Sequence, residues 1–282
     1  MYNTLISAEE LLNISENRNT RILDCRFRLG DTNAGRKMFV EGHIPGAQYI
    51  HLDDDLSGPI ISGQTGRHPL PSIAQATDLW SRLGIDETVQ VVVYDDVGGA
   101  IAARAWWMLR WLGHENVAVL NGGLAAWISL GGTLQEEIMT VSFRKFKANA
   151  QEGWIVNVEE VEQRKENEHW VIVDSRTPER YRGEKEPIDP IAGHIPGALN
   201  APHPNTIGTD GVFKRSEELA ELYKDYGLPN DSEKTVFYCG SGVTACRNIL
   251  AYSVAGRGMA RLYAGSWSEW IIDPERPIGT ME

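Results

Sequence analysis

The sequence predicts an α/β protein with two tandem domains, each a parallel sheet flanked by helices. Three observations support this fold class. The second half of the chain repeats the first, short apolar runs alternate with longer helical patterns, and the two longest helical patterns stop at a glycine. Strands that alternate with helices favour a parallel sheet, because parallel neighbours are joined by a crossover helix. In such sheets ligands bind beyond the carboxyl ends of the strands.

The internal repeat divides the 282-residue chain. EGHIPGAQYI at 41–50 recurs as AGHIPGALNA at 192–201, and three further pairs of segments recur in the same order at an offset of about 145 residues. A repeat of that length indicates a duplicated domain rather than a solenoid. We therefore expect a first domain at 1–135, a linker at 136–149 and a second domain at 150–282.

Within each copy, the predicted elements follow the same order. The predicted strands are 22–24, 48–50 and 91–94 in the first copy, and 171–174, 198–200 and 236–238 in the second. The predicted helices are 7–12, 73–83, 100–112, 216–226 and 244–255. Gly113 and Gly256 follow the longest two helices, and glycine at that place is typical of a helix end.

Composition excludes several classes of function. The chain has 27 basic and 39 acidic residues, and the net charge of −12 disfavours a nucleic-acid partner or an anionic membrane surface. No apolar run is long enough for a membrane-spanning helix, and the first residues have no apolar core of a signal peptide. Three cysteines cannot form a disulfide framework, so we expect a reducing, cytoplasmic location in which cysteine reactivity matters.

The motif Cys239-Gly240-Ser241-Gly242-Val243-Thr244 carries the clearest chemical signal. It follows a predicted buried strand and opens a predicted helix. Glycines in such a loop let successive backbone N–H groups point inward, and the positive end of the helix adds to their field. A cysteine at the start of this cradle has a stabilised thiolate, which is the form that acts as a nucleophile.

Three motifs identify a family: GHIPGA in both halves, CGSGVTAC at 239–246 and GSWSEW at 265–270. With them the chain resembles the two-domain rhodanese sulfurtransferases over essentially its whole length. The resemblance implies that Cys239 takes sulfane sulfur from a small anionic donor, thiosulfate or 3-mercaptopyruvate, as a persulfide. The N–H groups from Gly240 to Thr244 would hold the persulfide, and a thiol, cyanide or protein-thiol acceptor would remove the sulfur. It implies no metal or organic cofactor.

The same resemblance assigns roles to side chains outside the loop. Arg180 matches an arginine that holds the anionic donor, and a guanidinium suits a carboxylate or a sulfonate-like anion. Ser241 matches a serine that acts with a histidine and an aspartate of the first domain in the mercaptopyruvate branch, and the matching positions are His68 and Asp53. A relay of these three groups would move a proton at a substrate carbonyl or orient it. Ser241 as a loop cap and His68 as a solvated histidine remain the structural alternatives.

The first copy has Asp95 where the second has Cys239. A carboxylate cannot carry a persulfide, so we expect the first domain to be non-catalytic. We also expect structural roles for Cys25 and Cys246 in the core and for His43 and His194, which lie beside the prolines of the two GHIPG motifs.

Two features point to different donors. The Gly240-Ser241 pair is typical of the mercaptopyruvate branch, whereas thiosulfate-selective members have cations there. The mercaptopyruvate branch also has a second arginine shortly before the second GHIPG motif, and this chain has Ile188 in that place. The sequence thus leaves the identity of the donor open.

Two other functions fit this sequence to different degrees: a cysteine phosphatase and a persulfide carrier. A cysteine phosphatase of this fold needs an arginine six residues after the cysteine, and that residue is Ala245. A persulfide carrier without small-molecule turnover is compatible with the sequence, and steady-state turnover with either donor would separate it from an enzyme.

Overall fold

The computed structural model describes residues 1–165, 167 and 169–281 and divides into two compact units. Unit 1 consists of Met1–Gly58, Leu70–Gln151 and Thr209–Phe213, and unit 2 of Pro59–Pro69, Glu152–Gly208 and Lys214–Glu282. Two short segments therefore depart from the halves of the sequence: 59–69 belongs to unit 2 and 209–213 to unit 1. The division into a non-catalytic and a catalytic domain with a linker at 136–149 stays a prediction.

Unit 1 is a parallel sheet with helices. Its elements are β1 (Leu5–Ile6), α1 (Ala8–Ile14), β2 (Thr20–Asp24), α2 (Ala34–Glu41), β3 (Gln48–Tyr49), α3 (Ile73–Arg82), β4 (Gln90–Tyr94), α4 (Ala102–Trp111), β5 (Val117–Leu120) and α5 (Gly123–Ser129). The strand order is β1-β5-β4-β2-β3, and every pairing is parallel. All five residues of β4 are buried, as expected of a central strand covered on both faces.

Local sequence accounts for where the helices of unit 1 begin and end. Ser7 and Ser72 cap α1 and α3. Each serine hydroxyl accepts from the backbone N–H three residues later, and the side chain of that later residue accepts from the backbone N–H of the serine. The end of α4 is marked by Gly113, whose φ of 85° is a left-handed value that favours glycine. Trp106 and Trp107 are fully buried on α4, so this helix is anchored by its aromatic side chains.

Unit 2 repeats this architecture. Its described elements are α6 (Val158–Arg164), β6 (Val171–Asp174), α7 (Pro178–Arg182), β7 (Leu199–Asn200), α8 (Ser216–Asp225), β8 (Thr235–Tyr238), α9 (Thr244–Val254), β9 (Arg261–Leu262) and α10 (Ser266–Trp270). Short 3-10 turns occur at His203–Thr206 and Ser232–Lys234. The order β7-β6-β8-β9 matches β3-β2-β4-β5 of unit 1, and all pairings are parallel.

The predicted elements are confirmed, with shorter bounds at β3 and β7 and shifts of one or two residues at several helix ends. Parallel α/β architecture is likewise confirmed in each unit.

The repeated motifs form equivalent buried clips in the two units. In unit 1, Arg26 pairs with Asp24 and donates 2.7 Å to the carbonyl of Gly42. In unit 2, Arg176 pairs with Asp174 and donates 2.6 Å to the carbonyl of Gly193. These bonds tie the end of β2 in unit 1 and the end of β6 in unit 2 to the glycine of the GHIPG motif in the same unit.

The two GHIPG histidines have the structural roles expected of them. His43 stacks on Phe39, with ring centroids 3.9 Å apart, and its Nδ1 lies 2.7 Å from the carbonyl of that residue. His194 makes the same pair of contacts with Tyr181, at 3.9 Å and 2.7 Å. Both rings are thus committed to backbone carbonyls within their own units.

Candidate active site

Cys239 lies at the carboxyl end of the central strand β8, in the turn that leads into α9. All four residues of β8 are buried, and Cys239 is 2% exposed. The carboxyl ends of β6 and β7 lie on the same side of this parallel sheet. The nucleophile predicted from the sequence therefore occupies the edge at which α/β sheets bind ligands.

The loop after Cys239 is fixed by the segment that begins α10. The Cys239 amide donates 3.1 Å to the Ser266 hydroxyl, and the amides of Trp267 and Ser268 donate to the carbonyls of Cys239 and Gly240 at 3.0 and 2.9 Å. Gly242 has a φ of 76°, and a Cβ there would overlap the carbonyl oxygen of Ala264. Only glycine therefore allows this close approach of the two backbones.

Ser266 is a residue that the sequence did not single out. Among the described residues, Ser266 is the one residue other than glycine that has a positive φ, at 57°. Its hydroxyl accepts from the Cys239 amide and donates 2.9 Å to the carbonyl of Tyr263. A left-handed serine costs backbone free energy, and residues in such conformations cluster at functional sites. Here the conformation places a hydroxyl against the backbone of the nucleophile.

The loop stabilises the thiolate of Cys239. Burial raises the pKa of this thiol, but the Thr244 hydroxyl and the backbone N–H groups of Ser241, Ala245 and Gly242 donate to the sulfur and together hold its pKa below the ordinary value. Donors that contact the charged form favour that form. The predicted anion cradle is therefore present, with one side-chain donor and three backbone donors.

The equivalent cradle in unit 1 is filled by its own carboxylate. Asp95 accepts from the backbone N–H groups of Val97, Gly99, Ile101 and Ala102 at 2.8–2.9 Å. Val97 and Ile101 follow Asp95 by the same number of residues as Ser241 and Ala245 follow Cys239. The cradle of unit 1 therefore has an anion built in, which supports the prediction of a non-catalytic first domain.

All three cysteines are buried, and the groups around the sulfur distinguish Cys239 from Cys25. Cys25 and Cys246 are both buried in the cores of their units. Burial raises the pKa of Cys25, and the carboxylates of Asp95 and Asp24 raise it further. The Cys246 thiol lies 3.3 Å from the carbonyl of Gly242, within the first turn of α9. Cys25 is therefore held as a neutral thiol, in contrast to Cys239.

Ser241 and His68 are in direct contact. The Nδ1 atom of His68 lies 2.7 Å from the Ser241 hydroxyl, and both side chains are buried. His68 belongs to the segment 59–69 and hence to unit 2, although the sequence placed it in the first domain. This contact removes the alternative of a solvated loop histidine. Asp53 is half-buried in unit 1, and its place in a relay with these two residues stays a prediction.

Arg180 is oriented by two buried carboxylates. It donates to Glu186 at 2.7 and 3.0 Å and to Asp189 at 3.1 Å. Its Nη2 atom lies 3.3 Å from the position that a Cβ of Gly240 would occupy, so the guanidinium is beside the catalytic loop. Ile188 stands where a second arginine was expected from the resemblance. Its side chain is 42% exposed, and its backbone amide donates to Glu186.

The remaining predicted residues line the loop itself. Gly240 lies beside the Arg180 guanidinium, Val243 is buried just before α9, and Thr244 begins that helix.

Within the described part of the chain, no group of three or more His, Cys, Asp and Glu side chains is arranged to hold a metal ion. Among the same residues, no helix has the length and apolar character needed to cross a bilayer.

Comparison with known proteins agrees with this geometry. The family model for the rhodanese-like domain matches residues 7–130 and 157–273. The chain belongs to the rhodanese family. It is 42% identical over 277 residues to a "Probable 3-mercaptopyruvate sulfurtransferase" of Pseudomonas aeruginosa, with 98% of each chain covered. It is 34% identical over 282 residues to the thiosulfate sulfurtransferase of Rattus norvegicus, with 96% of this chain and 93% of the relative covered.

Solved structures support the same assignment. SseA from Escherichia coli, described as a 3-mercaptopyruvate sulfotransferase, superposes with a TM-score of 0.83 at 30% identity, and the match covers 95% of this chain and all of SseA. Each half of the chain is thus a rhodanese-like domain, and the protein is a two-domain sulfurtransferase. Its partners are, in general terms, a sulfur donor and a thiol or cyanide acceptor.

Proposed function

We propose that this sulfurtransferase takes sulfur from 3-mercaptopyruvate, holds it as a persulfide on Cys239 and delivers it to a thiol. The observation that carries the choice of donor is the buried hydrogen bond between His68 and Ser241, two residues beyond the nucleophile. A serine–histidine pair is suited to proton transfer at a carbonyl compound. Thiosulfate has no carbonyl group and leaves as sulfite, so it makes no use of such a pair.

The first half-reaction follows from the position of the thiolate. The Cys239 thiolate attacks the sulfur of 3-mercaptopyruvate, an S–S bond forms and the bond between that sulfur and C3 breaks. The electron pair of the broken bond remains on C3 as the enolate of pyruvate. The thiol proton of the donor is transferred to C3, so the products are pyruvate and the Cys239 persulfide anion, and no further reactant is required.

His68 and Ser241 would handle that proton. In this proposal Ser241 stands against the donor carbonyl and His68 accepts and returns the proton through the hydroxyl. Asp53 is proposed as the group that sets the tautomer of His68, as the third member of a relay does. The loop N–H groups and the Thr244 hydroxyl hold the negative charge of the thiolate before the attack and of the persulfide after it.

The second half-reaction returns the enzyme to its starting state. An acceptor thiol attacks the outer sulfur of the persulfide, the S–S bond breaks, and Cys239 leaves as the thiolate that the cradle stabilises. The acceptor becomes a persulfide and keeps its proton. Cyanide would remove the same sulfur as thiocyanate.

Charge around the donor site also favours a monoanion. The positive charges of Arg67 and Arg180 are matched by the carboxylates of Asp189 and Glu186. The loop itself has Gly240 and Ser241 where a cation would serve a dianion. The cluster therefore offers oriented N–H donors rather than an excess of positive charge. Such a site suits the single carboxylate of 3-mercaptopyruvate better than the two charges of thiosulfate.

Comparison of kcat/KM for the two donors on one preparation tests the proposal. We expect 3-mercaptopyruvate to be preferred by at least tenfold, and a preference for thiosulfate would overturn the choice of donor. Turnover with neither donor, while Cys239 still accepts sulfur from a cysteine desulfurase, would favour the alternative of a persulfide carrier. The cytoplasmic location remains a prediction from the cysteine content.

A further inference from the structure

We propose that Arg67 is the second arginine of the donor site and takes the part that the family's mercaptopyruvate branch gives to the residue at position 188. The inference deepens the proposed function and rests on it. Arg67 lies far from Arg180 in the sequence, in the segment 59–69, and no motif in the sequence assigns it a role. The folded unit 2 brings the two guanidiniums to the same residue of the catalytic loop.

The backbone around Arg67 is fixed on both sides. The Arg67 amide donates 3.1 Å to the Ser268 hydroxyl on α10, and the next residue, His68, contacts Ser241 at 2.7 Å. Gly66 packs so closely on Gly265 that a Cβ would meet the carbonyl oxygen there at 2.5 Å. The segment is therefore attached to both loops that surround Cys239.

Arg67 and Arg180 converge on Gly240. The Nη2 atom of Arg67 lies 2.9 Å from the position that a Cβ of Gly240 would take, and the Nη2 and Nη1 atoms of Arg180 lie 3.3 and 3.6 Å from it. Gly240 is the neighbour of the nucleophile in the sequence. Two guanidiniums thus stand beside the residue next to Cys239, where the anionic end of a donor would lie.

One buried carboxylate orients both arginines. The two oxygens of Asp189 accept from Nη1 of Arg67, at short range, and from Nη2 of Arg180, at 3.1 Å. The Asp189 side chain is 2% exposed, whereas those of Arg67 and Arg180 are 29% and 15% exposed. The carboxylate therefore lies behind the arginines and leaves their outer edges accessible.

Arg67 retains unused hydrogen-bond donors. Its Nε atom is buried and has no hydrogen-bond partner in the described part of the chain. A guanidinium has five N–H donors, and the bond to Asp189 occupies one of them. A buried donor without an acceptor is costly, and an anionic substrate would supply one.

Electrostatics agrees with this placement. Burial lowers the pKa of Arg67, the thiolate of Cys239 raises it, and Arg180 lowers it. The guanidinium is thus close enough to the nucleophile and to the other arginine for both charges to act on it. Two forks fixed in one orientation match the two oxygens of a carboxylate.

Steady-state kinetics of three variants test the proposal: Arg67→Met, Arg67→Lys and, as a control, Arg182→Met. Arg182 is a neighbouring arginine that pairs with the exposed Glu184 at 2.7 Å. We expect Arg67→Met to raise KM for 3-mercaptopyruvate by roughly ten- to a hundredfold with a smaller loss of kcat, as expected for a lost charge-assisted bond. Arg67→Lys should fall between wild type and Arg67→Met, since it keeps the charge but loses the fork. Arg182→Met should stay within twofold of wild type.

A second background separates donor binding from support of Arg180. If Arg67 acted only by holding Asp189 and Arg180, Arg67→Met would add nothing in an Arg180→Met enzyme; we expect a further increase in KM of at least fivefold. Thermal unfolding of each variant shows whether it is folded. A KM for Arg67→Met that stays within twofold of Arg182→Met would overturn the role of Arg67, whichever donor the wild type uses. A wild-type preference for thiosulfate would instead overturn the donor of the proposed function, and Arg67 would then be judged on the KM for thiosulfate.

Discussion

The hydroxyl of Thr244 is the one side-chain donor named among the groups that hold the Cys239 thiolate, and its removal has a predictable effect. Thr244→Val keeps the shape of the side chain and the backbone N–H groups of the cradle. The lost bond joins a neutral donor to a buried charge, and such bonds contribute about 1.5–3 kcal/mol. About 1.4 kcal/mol corresponds to a factor of ten in the ratio of thiolate to thiol. At a pH below the wild-type pKa, the fraction of Cys239 present as thiolate should therefore fall by roughly ten- to a hundredfold.

The sign of the effect follows from linkage. The hydroxyl stabilises the charged form and lowers the pKa of Cys239, so its loss raises that pKa and shifts the titration of the thiol to higher pH. The rate of alkylation by iodoacetamide, measured across the pH range, reports this titration. Wild type and Thr244→Val should differ most at low pH and converge at high pH, where both thiols are ionised.

A matched control is Thr77→Val, because the Thr77 hydroxyl donates within its own helix in unit 1, to the carbonyl of Ile73. Its alkylation profile should follow the wild type. A Thr244→Val profile that titrates at the same pH as the wild type would show that the hydroxyl does not stabilise the thiolate. The explanation given for the lowered pKa of Cys239 would then be wrong.

Three further predictions concern other parts of the structure. Ser241→Ala and His68→Ala should each slow turnover of 3-mercaptopyruvate by about 10²–10⁴-fold, the range of general acid–base groups, and should change thiosulfate turnover much less; equal losses with both donors in steady-state assays would mean that the pair only shapes the site. Arg180→Leu should lower kcat/KM for an anionic donor by roughly ten- to a hundredfold without loss of the fold, and unchanged kinetics would remove Arg180 from the site. Asp95→Asn places an amide against four backbone N–H donors and should lower the free energy of unfolding by about 2–4 kcal/mol in urea titrations, while Cys239 still accepts sulfur; a variant as stable as wild type would show that the carboxylate does not hold this loop.

The sequence predicted the elements that have a pattern of their own. The central strands and the helices α3, α4, α8 and α9 are long enough for apolar periodicity to show, and all of them are present. Strands such as β1 (Leu5–Ile6) and β9 (Arg261–Leu262) span two residues each and carry no period. They exist because the neighbouring strand offers backbone partners, which is information outside the segment itself.

The same distinction holds for the site. The glycine loop and its helix identified Cys239, because a thiolate cradle needs those residue types in consecutive positions. Arg67 and Ser266 were missed, since each acts across a large separation in sequence, on Gly240 and on the Cys239 amide. Asp95 could be excluded as a sulfur carrier from its chemistry alone, but the four N–H bonds that fill its cradle became evident only in the folded unit.

Intact-mass spectrometry shows directly whether Cys239 carries the transferred sulfur. The protein is incubated with 3-mercaptopyruvate in the absence of an acceptor, and its intact mass is measured before and after addition of a thiol. We expect the mass of one added sulfur atom on the wild type, its removal by the thiol, and no addition to Cys239→Ser. A sulfur retained by Cys239→Ser, or mapped to Cys25 or Cys246 in the wild type, would contradict the assignment of Cys239 as the residue that carries it.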